Sequence, residues 1–592
     1  MRQWLKRQWL KRMSSRQREK GLGWRTIQFT GMVGAIALSI FPLTDRVVIG
    51  LDLVPDDANQ ASETVVENAD MAQLPDILFD IIPAEIIPDS EFISQISELV
   101  RTVGDRQGQY AVLTAGVLAN PDPNISRWLA ALEASPFQDV EINGLELGTF
   151  AQQLAVTLEQ RNAAVDAIAR QADQEALAYS TVNYANLPDL RQAGGQGVQM
   201  QTLSISDTGD SDTDPEADRD PETATENGMT VDAYFPESLL MGELMGIEPD
   251  AAPVILISHG VGGNASDFAA LAQHLASYGF VVVVPNHAQL AANGNESPTS
   301  SLDNLRDQFF GAMNPLELVR RPLTLSAILD EMERLNQTNP MIQGRLDLDN
   351  VGVIGHSLGG YTGLAMVTGD ISRRQLRRTC NDDETLALNL SLLLQCQARA
   401  LPRRLPSLYD DRIKAVMALN PVGSAILGES QIEDIEVPVM VVAGSHDAIA
   451  PMLSEQLPVF SWLDDSHDKY LATLVPGGHA SANVSANVMA NDADSEDADS
   501  DDADSDDVDS EENSGTSRSN DLVDQIITGP LDPQGGAATK ALSVAFMAAH
   551  LASPVADEIP TDAYLNAAYS EFLSEGLFDL HLITEWNELG NE

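Results

Sequence analysis

Two things are scarce in this sequence of 592 residues: cysteine and positive charge. Two cysteines are too few for a disulfide-rich scaffold or a cysteine-based zinc module. The 41 glycines and 30 prolines exclude a collagen-like chain. Lysine and arginine number 34 against 89 aspartates and glutamates, a formal net charge of -55. This balance excludes a nucleic-acid-binding protein that works through a generally basic surface. Hydrophobic residues make up 43%, which is enough for a sizeable core.

Much of the negative charge lies in two tracts without hydrophobic periodicity. Asp207–Glu226 holds nine acids against one arginine, and Asp492–Glu512 holds thirteen acids. Such a composition cannot bury enough apolar surface to order a packed element, so we predict disordered, solvated insertions at 207–227 and 486–520. The alternating aspartates of the second tract could attract Ca²⁺, but the glycine that a calcium loop needs for its sharp turn is missing there.

The first 45 residues combine a basic flank with an uncharged segment. Nine basic residues lie between Arg2 and Arg25, and no residue from Thr26 to Thr44 carries a charge. We predict a signal peptide or signal anchor at 1–45, with the rest of the chain exported to the periplasm or anchored facing it. The uncharged segment is only weakly hydrophobic, and a basic extension on a cytoplasmic protein is the alternative.

The periodicity of the sequence divides the remaining chain. We predict a linker at 46–75 and a small, mainly helical N-terminal domain at 76–185. Leu158 and Ile168 lie there on one apolar helix stripe. From 190 to 592, short apolar runs alternate with helical segments, which is typical of a mostly parallel α/β sheet covered by helices on both faces. The predicted strands are Val254–Ser258, Phe280–Val284, Val351–Gly355, Ile413–Leu419, Val437–Ala443 and Tyr470–Val475.

Three further segments complete the predicted sheet domain. Val198–Ile205 and Met229–Phe235 are expected to form an antiparallel hairpin at its start. The first acidic tract is then an insertion in the hairpin loop. A helix near Ala537–Leu551 is expected to close the fold.

An apolar strand runs directly into a Gly-x-Ser-x-Gly motif with Ser357 at its centre, and a helical pattern follows at Tyr361–Val367. A serine nucleophile on a strained strand-to-helix turn needs this spacing, because flanking glycines let the backbone pass closely. The N-terminus of the following helix adds a positive dipole. We therefore predict that Ser357 is a catalytic nucleophile; an ordinary glycine-rich turn is the alternative.

A serine nucleophile also needs backbone N–H groups that stabilise the oxyanion. One is the amide of the residue after the nucleophile, here Leu358. The other comes from a loop after an earlier strand, and the glycine-rich loop His259–Gly263 has that position. We predict that the amide of Val261 is this second donor.

The acid and the base are expected to follow the serine in that order. Asp447 comes after the strand at 437–443, and His479 comes after the strand at 470–475. Sites of open α/β sheets lie at the carboxyl ends of their strands, so we predict that His479 is the base and Asp447 orients it. No metal-ligand spacing is present and no cofactor is implied. The competing acids Asp464, Asp465 and Asp468 lie away from the end of the strand at 437–443.

The segment 371–408 separates the helix that follows Ser357 from the next strand, and we predict a small cap there. It holds seven arginines and an apolar run, Leu386–Leu394. A cap of this kind suits amphiphilic substrates with anionic heads; an exposed arginine-rich helix pair that balances an acidic protein is the equal alternative. Cys380 and Cys396 form either a disulfide outside the cytoplasm or two buried thiols.

Three motifs carry a resemblance to a known family. His259-Gly-Val-Gly-Gly, Gly355-His-Ser-Leu-Gly-Gly and Ala418-Leu-Asn-Pro resemble the platelet-activating factor acetylhydrolase group of α/β-hydrolases, which is related to dienelactone-hydrolase-like esterases. More closely, the chain is similar to cyanobacterial α/β-hydrolases with a helical N-terminal domain of unknown function. The resemblance implies the α/β-hydrolase fold. The acetylhydrolases place their acid where this chain has Asn420, which favours Asp447 and argues against their phospholipid substrate.

The residues and the resemblance together predict a serine hydrolase that cleaves carboxylic esters through an acyl-enzyme, without a cofactor. Acyl glycerolipids or other short-acyl esters are the expected substrates. A polyester- or lactone-cleaving hydrolase and a catalytically idle binding scaffold are the alternatives. The expected partners are a small-molecule or lipid ester and, through the N-terminus, a membrane.

Overall fold

The computed structural model describes eleven stretches of the chain. The basic flank and both acidic insertions predicted above lie outside them. The described residues are 26–29, 35–43, 46–54, 64–69, 144–205, 229–240, 251–287, 315–381, 388–482, 533–551 and 559–586.

A four-stranded antiparallel sheet belongs to the smaller of the two compact units into which the chain divides. Its strands follow one another in order, as β-branched runs such as Val47–Ile49 favour. The segment predicted as a linker, 46–75, therefore carries two strands. No helix within the described residues is both long and apolar enough to cross a bilayer. The strands are β1 (Thr26–Phe29), β2 (Ala35–Leu43), β3 (Arg46–Val54) and β4 (Thr64–Ala69).

The larger unit is built on a nine-stranded sheet in the order β13-β12-β11-β10-β9-β7-β8-β6-β5. The six strands from β12 to β8 in this order are parallel, and β6 and β13 pair antiparallel at either side. The strands are β5 (Val198–Ile205), β6 (Met229–Pro236), β7 (Ala252–Ser258), β8 (Val281–Pro285), β9 (Leu346–His356), β10 (Ile413–Leu419), β11 (Val439–Gly444), β12 (Lys469–Val475) and β13 (Asp579–Ile583).

Helices cover both faces of this sheet. In β7, Val254 and Leu256 face one apolar cluster, whereas Ile255 and Ile257 face the other, because successive side chains of a strand point to opposite faces. The predicted α/β class is thus confirmed. The helices are α1 (Gly144–Ala176), α2 (Ala269–Ala276), α3 (Glu317–Thr338), α4 (Leu358–Thr368), α5 (Arg373–Thr379), α6 (Ser391–Gln395), α7 (Ser424–Leu427), α8 (Glu429–Ile432), α9 (Gln456–Trp462), α10 (Pro533–His550) and α11 (Ala567–Leu573).

Helix α1 differs from the predicted domain division. Its residues Ala164, Ile168 and Ala172 are buried in the same cluster as one face of the sheet. This part of α1 is therefore packed into the core of the larger unit, because an apolar helix stripe is stable when another apolar surface covers it. The remainder of the predicted domain, 76–143, lies outside the described residues.

The predicted hairpin and closing helix are present. β5 and β6 pair antiparallel from Val198 opposite Pro236 to Ile205 opposite Met229, so the first acidic tract connects two paired strands. Helix α10 begins at Pro533, four residues before the predicted start, and ends at His550.

The predicted cap contains α5, α6 and a 3-10 helix at Cys396–Ala400. Cys380 and Cys396 form a disulfide with a Cα–Cα distance of 5.7 Å, which resolves the open choice between a disulfide and two thiols. The apolar run contributes buried Leu392 and Leu394. Six of the seven cap arginines are exposed: Arg374, Arg377, Arg378, Arg399, Arg403 and Arg404.

Candidate active site

Ser357 lies on a strained turn between β9 and α4. Its φ is 55° and its ψ is -115°, a left-handed conformation that is rare for a residue with a side chain. A Cβ on Gly355 would lie 2.1 Å from the carbonyl oxygen of Gly359, and a Cβ on Gly359 would lie 1.9 Å from that of Ser258. Both positions therefore require glycine, and the strain at Ser357 is imposed by close backbone packing on either side.

Backbone hydrogen bonds hold the turn. The Ser357 amide donates to the carbonyl of Leu419 at 2.9 Å, and the Ser357 carbonyl accepts from Tyr361 at 3.1 Å and Val422 at 3.3 Å. Ser357 itself is only 6% exposed. The next residue, Leu358, is the first of α4, where amides lack an intrahelical acceptor and the helix dipole is positive.

The structure brings Asp447 and His479 together. The Nδ1 of His479 lies 2.8 Å from Oδ2 of Asp447, and both side chains are buried. The other carboxylate oxygen of Asp447 accepts from the amides of Ile449, at 2.9 Å, and Ala450, at 2.8 Å. These bonds fix the carboxylate, which in turn fixes the orientation of the imidazole.

The glycine-rich loop after β7 lies against Ser357. A Cβ built on Gly260 would be 3.3 Å from the Cβ of Ser357. Among the described residues, no backbone acceptor is found for the amides of Val261 and Leu358, the two predicted oxyanion donors. The arrangement thus places Ser357, the imidazole of His479 held by Asp447, and these two amides at the carboxyl ends of the parallel strands.

A family comparison covers part of this region. Residues 253–368 match the family model described as alpha/beta hydrolase fold. The chain has an alpha/beta hydrolase fold. The matched part of this hydrolase fold begins in β7 and ends with α4, so it includes the glycine-rich loop and Ser357. It stops before Asp447 and His479, whose assignment depends on the structure and on their order in the chain.

Asn420 is a site residue whose role the sequence did not indicate. It follows β10, with a left-handed φ of 44°, and its Nδ2 donates to Oδ2 of Asp447 at 2.9 Å. The side-chain amide of Asn420 therefore supports the carboxylate of Asp447 from the end of β10. The signal in the sequence is an asparagine directly after the strand at 413–419.

The competing acids lie away from the Asp447–His479 pair. Asp464, Asp465 and Asp468 are exposed, and Asp465 pairs with Lys469. His356 lies beside the site: its Nε2–H donates to the carbonyl of His479 at 2.7 Å. Burial lowers the pKa of His356 to about 4, so it is a neutral donor at neutral pH. No group of three or more metal-ligating side chains occurs in the part of the chain that the structure describes.

A buried carboxylate anchors the cap of this hydrolase fold beside the site. Glu455 has no exposed surface, and it lies between the cap and the loop that follows Asn420. Burial raises the pKa of Glu455, and its hydrogen-bond donors oppose that shift. Its Oε1 accepts from Asn389 Nδ2 at 2.6 Å, Ser391 Oγ at 3.0 Å and Gln395 Nε2 at 2.7 Å, and its Oε2 accepts from the amides of Gly423 and Ser424 at 3.1 Å each.

Proposed function

We propose that the chain is a serine hydrolase that cleaves carboxylic esters through an acyl-enzyme intermediate. Ser357 is the nucleophile, His479 the general base and Asp447 the acid that orients it. The amides of Val261 and Leu358 bind the oxyanion. The observation that carries the proposal is the buried 2.8 Å bond between Asp447 and His479.

The mechanism follows from the tautomer that this bond requires. An ionised Asp447 accepts from Nδ1–H of His479, which leaves Nε2 unprotonated and able to take the proton of Ser357. Ser357 Oγ then bonds to the ester carbonyl carbon, and the oxyanion is stabilised by backbone N–H groups. The ester C–O bond then breaks, and His479 gives the proton to the alcohol that leaves. Water attacks the acyl-enzyme by the same steps, which releases the carboxylic acid and free Ser357.

The substrates that we propose are acyl glycerolipids or other short-acyl esters. The support is the apolar interior of the cap, with Leu392 and Leu394 buried, and its exposed arginines, which suit an amphiphile with an anionic head. A polyester or lactone hydrolase uses the same machinery and differs only in the substrate. An idle binding scaffold is disfavoured by the support that the buried Asp447–His479 pair receives from Asn420.

We also propose that the chain is exported, with membrane association through its N-terminus. The Cys380–Cys396 disulfide supports an oxidising compartment, since disulfides are rare in the reducing cytoplasm. A reporter that works only in the periplasm, fused after residue 592, is expected to be active. A reporter that works only in the cytoplasm would contradict export.

Fluorophosphonate labelling tests the catalytic proposal. The wild-type chain should label, and Ser357→Ala should not. Ser461→Ala, which removes an exposed hydroxyl on α9, is the matched control and should label normally. A chain that does not label is a scaffold. A series of nitrophenyl esters of increasing acyl length then defines the substrate class.

A further inference from the structure

The loop that carries Val261 is held by two buried side chains outside the proposed triad. Arg321, on α3, is 6% exposed and donates from Nη1 to the carbonyl of His259 at 2.6 Å and from Nη2 to that of Gly260 at 3.4 Å. The ring of His259 is 1% exposed, and its Nδ1 lies 2.8 Å from the carbonyl of Gly260. The carbonyl oxygen of one peptide unit, Gly260–Val261, is thus contacted by both side chains.

The tautomer of His259 follows from its second contact. The amide of His287 donates to Nε2 of His259 at 3.0 Å. A nitrogen that accepts cannot carry a proton, so the neutral ring has its proton on Nδ1 and donates it to the Gly260 carbonyl. Burial, then the charge of Arg321 and the neighbouring His356, lower the pKa of His259 to about 3, while the Gly260 carbonyl opposes that shift. The ring of His287 is the other titratable group against it, at 5.0 Å between ring centroids.

Because the peptide is planar, fixing the Gly260 carbonyl also fixes the direction of the Val261 N–H. In a trans peptide the C=O and N–H groups point in opposite directions. Holding the Gly260 oxygen toward Arg321 and His259 therefore aims the Val261 N–H to the other side. The loop lies against Ser357, and the Val261 amide has no backbone acceptor among the described residues.

The burial of Arg321 has no other evident reason. Within the described residues, both of its hydrogen bonds go to this loop, and the nearest counter-charge that affects it is Glu317, one turn earlier in α3. Burial lowers the pKa of Arg321 to about 10, which still leaves it charged at neutral pH. A buried cation is costly unless its bonds do something specific.

We propose that Arg321 and His259 are positioning residues that aim the Val261 N–H at the oxyanion of the reacting ester. The proposal rests on the serine hydrolase function given above. Neither side chain touches the reacting atoms: His259 acts through the Gly260 carbonyl, and Arg321 acts through the carbonyls of His259 and Gly260. Arg321 supplies the fixed charge, and His259 supplies a donor whose tautomer is set by the amide of His287.

Kinetics of Arg321→Met and Arg321→Lys provide the first test. Arg170→Met is the control, because Arg170 is an exposed arginine on α1, away from this loop. We expect Arg321→Met to lower kcat for a nitrophenyl ester by about 10-fold or more, up to the ~100- to 1,000-fold seen when an oxyanion donor is removed. KM and the pH profile of kcat/KM should stay unchanged, since the base and its acid are untouched. The kcat of Arg321→Lys, whose ammonium group has fewer donors than a guanidinium, should lie between that of the wild type and that of Arg321→Met.

A second measurement needs no variant. ¹⁵N NMR of the wild-type chain should show His259 neutral with its proton on Nδ1 between pH 5 and 9. An Nε2–H tautomer, or a wild-type kcat in Arg321→Met, would overturn the positioning role even in an active enzyme. A wild-type chain that neither hydrolyses esters nor labels at Ser357 would instead refute the proposed function, and this role with it.

Discussion

Replacing Glu455 by glutamine keeps the size of the side chain and changes one atom at the anchor of the cap. Five donors converge on the two carboxylate oxygens, three from the cap side and two from the backbone of the loop beside Ser357. A glutamine offers one oxygen and one NH₂ group. In either orientation of the glutamine amide, at least two of the buried donors face its NH₂ group, which is itself a donor.

The cost follows from the number of bonds lost. Each buried donor left without an acceptor costs about 1–3 kcal/mol, so the two amides of Gly423 and Ser424 alone imply roughly 2–6 kcal/mol. Asn389 cannot relieve the conflict by flipping its amide, because its oxygen already accepts from the amide of Ser391 at 3.1 Å. Burial raises the pKa of Glu455, which means that burying its charge is unfavourable. Glutamine is neutral, so the substitution removes this cost and offsets part of the destabilisation. We expect a net destabilisation of about 2–4 kcal/mol.

Urea unfolding of the purified chain measures this difference. Glu429→Gln is the control, because Glu429 is an exposed glutamate on the neighbouring helix α8 and its replacement should change stability by less than about 0.5 kcal/mol. Ester turnover should fall in Glu455→Gln if the loop beside Ser357 shifts. A Glu455→Gln chain as stable as the wild type would refute the reasoning, because it would mean that the five donors find other acceptors.

Three further outcomes are expected. Asp447→Asn should lose several orders of magnitude in turnover whereas Asp465→Asn should behave as the wild type; the opposite result in an ester assay would reassign the acid. Replacing both cysteines of the disulfide Cys380–Cys396, 16 residues apart, by serine should cost about 3 kcal/mol in urea unfolding, and equal stability would show that the bond is not formed. Burial lowers the pKa of His274 to about 4, so the unfolded chain binds its proton first as pH falls. The resulting stability is complete above about pH 6.5 and is lost toward pH 4, and His274→Gln should flatten that part of the stability–pH curve.

The features that can be predicted from the sequence are those that depend on patterns of neighbouring residues. Continuous apolar runs identify the central strands, because a parallel sheet buries both faces. The Gly-x-Ser-x-Gly spacing predicts the tight turn at Ser357, because only glycine fits at positions 355 and 359. Asp447 and His479 were selected by their position after strands, and the structure places them 2.8 Å apart.

The parts that the sequence does not predict depend on contacts between distant residues. Glu455 binds cap residues about 60 positions away, and Arg321 binds a loop about 60 positions earlier in the chain. Nothing in their local sequence distinguishes them from surface charges. The strands at 46–54 and 64–69 were read as a linker because the acidic and polar residues between them hid two short β-branched runs.

The strain at Ser357 implies a conflict between stability and activity at a single position. Glycine adopts a φ of 55° at little cost, whereas a serine held there costs on the order of 1–3 kcal/mol. Ser357→Gly should therefore give a chain that is inactive yet more stable, with Gly355 and Gly359 still required by packing. An inactive descendant of this protein would keep both glycines and drift to a third between them. A relative with glycine at all three positions that correspond to 355, 357 and 359 would therefore be expected to be inactive and more stable.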